Sequence, residues 1–270
     1  MKKKDITLII VILVFLAIFI ILSGLVYKTQ QAYSASEEFL KSILQIQQNN
    51  EDSVFTIDQI SYFSSSDANI ETNSNSSFTI TGLYQYTDIA FFINPNSDTL
   101  TAKNTLKSVV IDDFNYIDKP NIGTQNLYYK NIHDYATSRY NSEDLIKDSI
   151  TFKTTSESTM DYSTPLLYNN CANPITLCYI NSGLNNSYTL ADNVSNLHRN
   201  GSLLKTCGIT LSSLSCKLSF RVTITNNLDE IYTCPISLNI PLSSENTTIY
   251  NGNMILKDNV NYKFIKIANE

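Results

Sequence analysis

The stretch that decides the fold covers residues 216–240 and reads CKLSFRVTITNNLDEIYTCPISLNI. Apolar and polar residues alternate through residues 216–225, and they alternate again after Tyr232. Such alternation is typical of a strand with one buried face, since successive side chains point to opposite sides. A polar turn at residues 226–229 separates the two runs. The pattern predicts an antiparallel hairpin with strands at 216–224 and 232–240.

Similar patterns on either side of this hairpin extend the prediction to a sheet-rich domain. Strand-forming residues dominate 78–93, 106–117, 248–256 and 260–267. Many short strands separated by turns are characteristic of a sandwich. We therefore predict a mainly β fold, a β-sandwich-like domain that is either single or built from two packed β modules.

Two segments of this domain have other signals. The polar stretch 64–77, rich in Ser and Asn, predicts an exposed loop. A short helix is expected at 142–148, where Ser142 is a suitable N-cap and Glu143 and Asp144 favour the first turn.

The N-terminus carries the signal of a membrane anchor. Three lysines and Asp5 precede an uncharged, mostly apolar run of 22 residues at 6–27. A helix of that length reaches about 33 Å and spans a hydrocarbon core of about 30 Å. The run exceeds the apolar part of a cleaved signal peptide, which is the alternative. The lysines orient the N-terminus toward the cytoplasm, and the rest of the chain lies outside the plasma membrane.

The segment after the anchor predicts an amphipathic stalk helix. It lacks Gly and Pro from residue 29 to residue 48, and Phe39, Leu40, Ile43 and Leu44 recur at helical spacing. This stripe packs on the chain's own β domain or on a second copy, so a homo-oligomer through the N-terminal helix is open. The expected boundaries are a cytoplasmic tail (1–5), an anchor in the bilayer (6–27), a stalk helix (28–50), a first β module (51–160) and a second, cysteine-containing β module (161–270).

Charge and cysteine content limit the partners and the compartment. The chain has 19 Lys and Arg against 25 Asp and Glu, a net charge of −6. No basic cluster exists beyond the N-terminus, which argues against nucleic acid as a partner. The spacing of the cysteines is compatible with disulfides between Cys171 and Cys178 and between Cys207 and Cys216, leaving Cys234 unpaired; buried free thiols are the alternative.

Most motifs for enzyme, cofactor or metal chemistry are absent from the sequence. It has no Gly-rich nucleotide loop, no nucleophile elbow and no paired zinc-binding motif, and its only histidines are His133 and His198. The acidic residues Asp112, Asp113 and Asp118 lack the ligand pattern of a calcium loop. We therefore predict no catalytic residues, no cofactor and no metal.

Two family resemblances give alternatives. The run from Leu204 to Cys207, followed by Arg221, resembles the region of the sortases that holds the catalytic Cys and Arg. This resemblance implies transpeptidation by Cys207 and Arg221, with His133 as the third residue. Thr206 matches the Thr that precedes the catalytic Cys in sortases. Ile132, however, replaces the Gly that usually precedes the catalytic His. The order of anchor, amphipathic helix and β head is similar to that of type IV pilins and pseudopilins, which implies assembly through the N-terminal helix.

The leading hypothesis is a non-enzymatic, membrane-anchored surface protein whose β domain binds another protein, a glycan or envelope material. It rests on topology and on the missing catalytic motifs. The pilin-like subunit is the first alternative, and a sortase-like cysteine transpeptidase is the second.

Overall fold

The computed structural model describes residues 53–74, 77–185, 187–190 and 203–267, together with the helical positions Leu16, Phe19, Ser23, Gly24 and Tyr27.

The chain divides into two compact units, Met1–Asp52 and Ser53–Glu270. The five helical positions of the first unit fall within the expected anchor at 6–27. The rest of that anchor, the tail at 1–5 and the stalk at 28–50 lie outside the described residues. Among the residues that are described, no helix is both long enough and apolar enough to span a bilayer.

The second unit is built almost entirely of strands. In chain order these are β1 (Phe55–Thr72), β2 (Phe78–Phe91), β3 (Asn94–Pro95), β4 (Leu106–Asp118), β5 (Thr124–Tyr129), β6 (Leu145–Ile146), β7 (Ile150–Thr155), β8 (Leu166–Tyr168), β9 (Ile175–Ser182), β10 (Tyr188–Leu190), β11 (Lys217–Asn226), β12 (Ile231–Asn239), β13 (Met254–Lys263) and β14 (Ile265–Ile267). Four-residue helix α1 (Leu203–Thr206) and 3-10 turns at Ile132–Asp134, Ser142–Asp144, Leu211–Leu214 and Ile249–Asn251 complete the described structure.

The strands form two sheets, which confirms the mainly β prediction. Sheet A has the order β13-β1-β2-β9-β5-β6, with β10 added to β2 and β3 added to β1. Sheet B has the order β14-β12-β11-β4-β7-β8. Each sheet contains strands from the first expected β module (51–160) and from the second (161–270). Neither sheet therefore corresponds to one of these modules.

One hydrophobic core joins the two sheets in a sandwich-like arrangement. Ring contacts cross between them: Phe91 of sheet A stacks on Phe220 of sheet B with centroids 6.4 Å apart, and Phe55 meets Tyr232 edge to face at 5.5 Å. Removing these rings from water is the main favourable term in folding such a domain. The opposite face of each sheet points away from this core.

The predicted hairpin is confirmed. Strands β11 and β12 pair antiparallel from Lys217 opposite Asn239 to Thr225 opposite Ile231. The even-numbered residues of β11 are buried in the core, and Arg221 is exposed on the other face. The alternation in the sequence therefore predicted correctly which face of sheet B is exposed to solvent.

The predicted exposed loop at 64–77 is wrong, because strand β1 continues to Thr72. Three serines in this stretch, Ser64, Ser65 and Ser66, are buried. The Ser64 hydroxyl hydrogen-bonds the Thr87 hydroxyl at 2.9 Å, and the Ser65 hydroxyl donates to Asn253 Oδ1 at 2.8 Å. Because partners for the hydroxyls are built into the fold, a polar sequence forms an interior strand.

The predicted helix at 142–148 and the predicted strand at 248–256 are only partly present. Ser142–Asp144 is a single 3-10 turn capped by Asn141, whose side chain accepts from the Glu143 N–H, and a strand follows at once. Ile249–Asn251 is likewise a 3-10 turn, and β13 begins only at Met254. The predicted strand at 260–267 is interrupted at Phe264, where the chain passes from sheet A to sheet B.

Candidate functional site

A charged cluster lies on the solvated face of sheet B, where β4 and β11 run side by side. Arg221 of β11 donates from Nε to Asp112 Oδ1 at 3.0 Å and from a terminal nitrogen to Oδ2 at 3.2 Å. Its other terminal nitrogen lies 3.1 Å from Asp113 Oδ2. One guanidinium is therefore held by two carboxylates, one of them in the bidentate geometry that fixes its orientation.

A β-bulge brings both carboxylates to the same face. Adjacent residues of a regular strand point to opposite sides, but the pairing of β4 with β11 shifts register between Ser219 and Arg221. Asp113 lies in this irregularity with φ of 59°. Left-handed backbone is costly for most residues with a Cβ atom, less so for Asp, and it is found where local geometry matters. The bulge thus turns Asp113 back toward Arg221.

A shallow groove of about 520 Å³ opens beside this cluster. Asp113 and Arg221 line one side, and Pro235, Ser237 and Tyr262 are among the other lining residues. The Tyr262 hydroxyl donates to the Ser237 carbonyl at 2.9 Å, and burial raises the pKa of this tyrosine. The groove therefore combines an aromatic ring, hydroxyl groups and fixed charges.

The charges of the cluster contribute little to folding. Side-chain exposure is 45% for Arg221, 30% for Asp112 and 69% for Asp113. Ion pairs at such exposure stabilise a protein by about 0–1 kcal/mol, since water screens them. The hydrogen bond from Arg221 to Asp112 raises the pKa of the guanidinium, which therefore stays charged. Two carboxylates against one cation leave the cluster with a net negative charge.

A second charged pair is buried on the opposite face of sheet A from the core. Asp88 of β2 and Lys130, which directly follows β5, lie on either side of the central strand β9. Lys130 Nζ is 3.0 Å from Asp88 Oδ1, and the two side chains are 1% and 3% exposed respectively. The cross-strand neighbour of Asp88 on β9 is Cys178. This pair is sealed from water, unlike the cluster around Arg221.

The segment that follows Lys130 folds back and closes the buried pair. Lys130 Nζ donates to the Thr137 carbonyl at 2.7 Å, and the Ala136 N–H donates to Asp88 Oδ2 at 2.9 Å. Ala136 adopts a left-handed φ of 60° in making this contact. The Tyr135 hydroxyl donates to the Ile89 carbonyl at 2.9 Å. Backbone groups of residues 131–140, here called the covering segment, thus provide hydrogen-bond partners for both charges.

Aromatic rings surround the buried pair. Lys130 Nζ lies 5.3 Å from the centroid of the Tyr86 ring, a favourable position for a cation over a π face. Tyr140 of the covering segment packs against Tyr84 and Tyr128. Burial raises the pKa of Tyr86 to about 12. Burial also raises the pKa of the Asp88 carboxyl, and Lys130 opposes that shift.

The structure does not bring the sortase-like residues together. His133 lies in the covering segment with its ring edge to face on Tyr162 at 5.1 Å. Cys207 packs in a separate apolar cluster with Leu203 and Ile249, and burial raises the pKa of its thiol. Arg221 is engaged by carboxylates on the solvated face of sheet B. A thiolate nucleophile needs an electropositive neighbour that lowers its pKa, and Cys207 has the opposite environment.

The two expected disulfides are not present, because all five cysteines are free thiols. Cys171 belongs to the core between the sheets, whereas Cys178 belongs to the cluster on the other face of sheet A. Cys216 also lies in the core, and Cys207 packs in the separate cluster. A disulfide requires the two Cβ atoms to face each other within about 4.5 Å, and sheet A lies between Cys171 and Cys178. Cys207 and Cys216 pack in different clusters.

The acidic residues considered for calcium have other roles. Asp112 and Asp113 contact Arg221, and Asp118 lies opposite Lys217 in the backbone register of β4 and β11. Within the described ranges no three side chains of His, Cys, Asp or Glu are grouped as metal ligands.

The comparisons with known proteins give no relative for this chain. No protein-family model, no curated protein and no solved structure matches the sequence or the fold.

Proposed function

We propose that this chain is a non-enzymatic binding protein whose β-sandwich recognises a glycan on the solvated face of sheet B. The observation that carries the proposal is the strained bulge at Asp113, which fixes two carboxylates around the exposed Arg221. Exposed ion pairs contribute little stability, so stability does not account for a costly backbone conformation that builds one. Backbone strain of this kind is found at ligand-binding positions.

The chemistry of the face favours a glycan over a protein. Sugar hydroxyls both donate and accept hydrogen bonds, and carboxylates beside a guanidinium offer acceptors and donors in fixed directions. The partly buried Tyr262 adds an aromatic surface to the groove, next to the Ser237 backbone. Protein interfaces depend instead on buried aromatic or Arg anchors, and Arg221 is already engaged by two carboxylates. Because these groups are held in place before binding, little conformational entropy is lost.

The proposed location is the outer face of the plasma membrane. The apolar run at 6–27, preceded by lysines, supports an anchor in the lipid bilayer with a cytoplasmic N-terminus. A domain on this anchor presents its sheet face to polysaccharide outside the cell. The acidic composition supports a partner other than nucleic acid.

The experiment is retention on a panel of immobilised neutral oligosaccharides, using detergent-purified full-length protein. We expect binding to at least one of them and a loss of at least tenfold in affinity for Arg221→Ala, which removes the centre of the cluster. Lys217→Ala, on the same face of the same strand, is the matched control and keeps binding. No retention of any oligosaccharide, or equal binding by both variants, contradicts the proposal.

A further inference from the structure

Asp88 and Lys130 form an ion pair that is buried, which is unusual for charged side chains. Moving an ammonium and a carboxylate out of water costs several kcal/mol per ion, and an apolar pair of the same volume is often as stable or more stable. Both side chains are nevertheless almost completely buried, with Nζ 3.0 Å from Oδ1. That contact places the side-chain nitrogen of Lys130 beside a carboxyl oxygen of Asp88 in a dry site.

We infer that Lys130 and Asp88 become joined by a side-chain amide bond after the domain folds. The bond links β2 to the end of β5 across the central strand β9 and closes the covering segment 131–140 over sheet A.

The reaction balances without any co-reactant. One proton passes from the Lys130 ammonium to the Asp88 carboxylate, which leaves a neutral amine and a neutral acid. The amine nitrogen attacks Cγ of Asp88, and a second proton from the nitrogen moves to Oδ1. Oδ1 then leaves as water while the Nζ–Cγ bond remains. An ammonium and a carboxylate become one amide and one water, with no change in oxidation state or net charge.

The surrounding hydrogen bonds already suit the product. The departing atom is Oδ1, which faces Nζ but makes no well-directed hydrogen bond in the described structure. The remaining oxygen, Oδ2, accepts from the Ala136 N–H, as an amide carbonyl does. The one hydrogen left on Nζ continues to donate to the Thr137 carbonyl. The amide therefore leaves no buried polar atom of the pair without a partner.

The environment favours the reaction over a permanent ion pair. Burial raises the pKa of the Asp88 carboxyl, which favours the neutral acid that the condensation requires. Holding the two groups in contact replaces a bimolecular encounter with an intramolecular one, which is worth many orders of magnitude in rate. The rings of Tyr84, Tyr86 and Tyr128 around the site keep out water that would reverse the condensation.

A second Lys–Asp ion pair, exposed to solvent, serves as an internal comparison for this reaction. Lys107 and Asp229 also form a close ion pair, but their side chains are 55% and 71% exposed. Water stabilises both charges there, so the pair stays ionic. The same residue types thus test whether burial, rather than proximity alone, leads to the bond.

The test is the intact mass of the purified full-length chain in denaturant, followed by peptide mapping. We expect a mass lower than the sequence mass by one water and a branched peptide that connects Lys130 to Asp88. Lys130→Arg and Asp88→Ala restore the full mass, and Lys107→Arg keeps the deficit. A linear peptide carrying the loss at Asp88 indicates a succinimide and overturns the inference, as does a wild-type chain of full mass. The wild-type measurement is decisive even if the variants at the pair fail to fold.

Discussion

The backbone N–H of Phe264 donates to the carbonyl of Phe55 at 3.1 Å, and their rings meet edge to face with centroids 6.4 Å apart. Phe55 opens β1 in sheet A, and Phe264 is the single residue between β13 of sheet A and β14 of sheet B. Both side chains are fully buried. The contact therefore fixes the point at which the chain passes from one layer to the other.

Truncating this ring is expected to be severely destabilising. Phe264→Ala removes a fully buried aromatic side chain and leaves a cavity, so the free energy of unfolding falls by about 3–5 kcal/mol. Urea unfolding followed by tyrosine fluorescence gives the value. Lys263→Ala, the exposed neighbour, changes stability by less than about 0.5 kcal/mol. A loss below about 1 kcal/mol for Phe264→Ala means that the crossing point is not held by this ring.

Gln85 is expected to be a residue whose replacement stabilises the protein. Its side chain is completely buried, and neither Oε1 nor Nε2 has a partner within the described residues. An unpaired buried amide costs about 1–3 kcal/mol, so Gln85→Met raises the free energy of unfolding by a similar amount. Asn181→Leu is the control, because Asn181 Nδ2 donates to the Ile122 carbonyl at 3.2 Å and the variant is destabilised. Equal losses in both variants imply a bound water at Gln85.

Glu230 is expected to make stability depend on acid pH. Hydrogen bonds from Lys266, Asn226 and Tyr232 lower the pKa of this carboxyl to about 2, from an ordinary 4.5. The folded state therefore binds its proton less readily than the unfolded state, and the stabilisation is present above about pH 5 and lost as the pH falls toward 2.

Glu230→Gln removes this dependence. The wild type exceeds the variant by about 1 kcal/mol at neutral pH, and the two converge as the pH approaches 2. Urea unfolding from pH 2 to pH 7 gives the difference. Exposed Glu245→Gln serves as the control and follows the wild type. A difference that stays constant with pH argues against the lowered pKa.

Asp113 is expected to store backbone strain. At its φ of 59°, glycine has no Cβ penalty, whereas alanine retains it. Asp113→Gly is therefore more stable than Asp113→Ala by about 1 kcal/mol, measured by thermal unfolding. Both variants lose one carboxylate of the cluster, so they bind the oligosaccharide equally weakly. Equal melting temperatures would show that the bulge relaxes in the variants.

The thiols are expected to differ sharply in reactivity. Cys207 is only partly buried, whereas the other four cysteines are buried. Iodoacetamide applied to native protein modifies Cys207 alone, and slowly, because burial raises the pKa of its thiol. All five cysteines react in denaturant without a reducing agent. A requirement for reduction before alkylation would establish a disulfide that the fold does not contain.

The sequence predicted those strands whose two faces differ. The hairpin of β11 and β12 alternates because one side meets the core and the other meets water. Strand β9 gives no such signal, since it lies mid-sheet and seven of its eight residues are buried. The serine-rich end of β1 looks like a loop because its hydroxyls find partners only in the folded protein. Apolar and polar residues alternate in a strand that has one solvated face, so the sequence predicts that strand. A strand with both faces covered has no such alternation.

The sequence pointed to some residues of the candidate sites but not to the contacts between them. Arg221 and the acidic residues Asp112 and Asp113 stood out separately, but the bulge that unites them depends on the pairing of β4 with β11. Nothing in the sequence connects Asp88 with Lys130. Their contact follows from the insertion of β9 between β2 and β5, which is a property of the sheet order rather than of local pattern.

The pairing of β1 with β13 sets a condition on how the chain is made. Gln59 Nε2 donates to Asn259 Oδ1 at 3.3 Å, a contact between residues 200 positions apart. Strand β1 is synthesised before β13, yet one of its edges has no partner until β13 has been made. Contacts of such long range also slow folding, because the intervening chain must be ordered first. Sheet A is therefore completed only after β13 has left the ribosome, and until then a chaperone or a neighbouring chain meets an open strand edge.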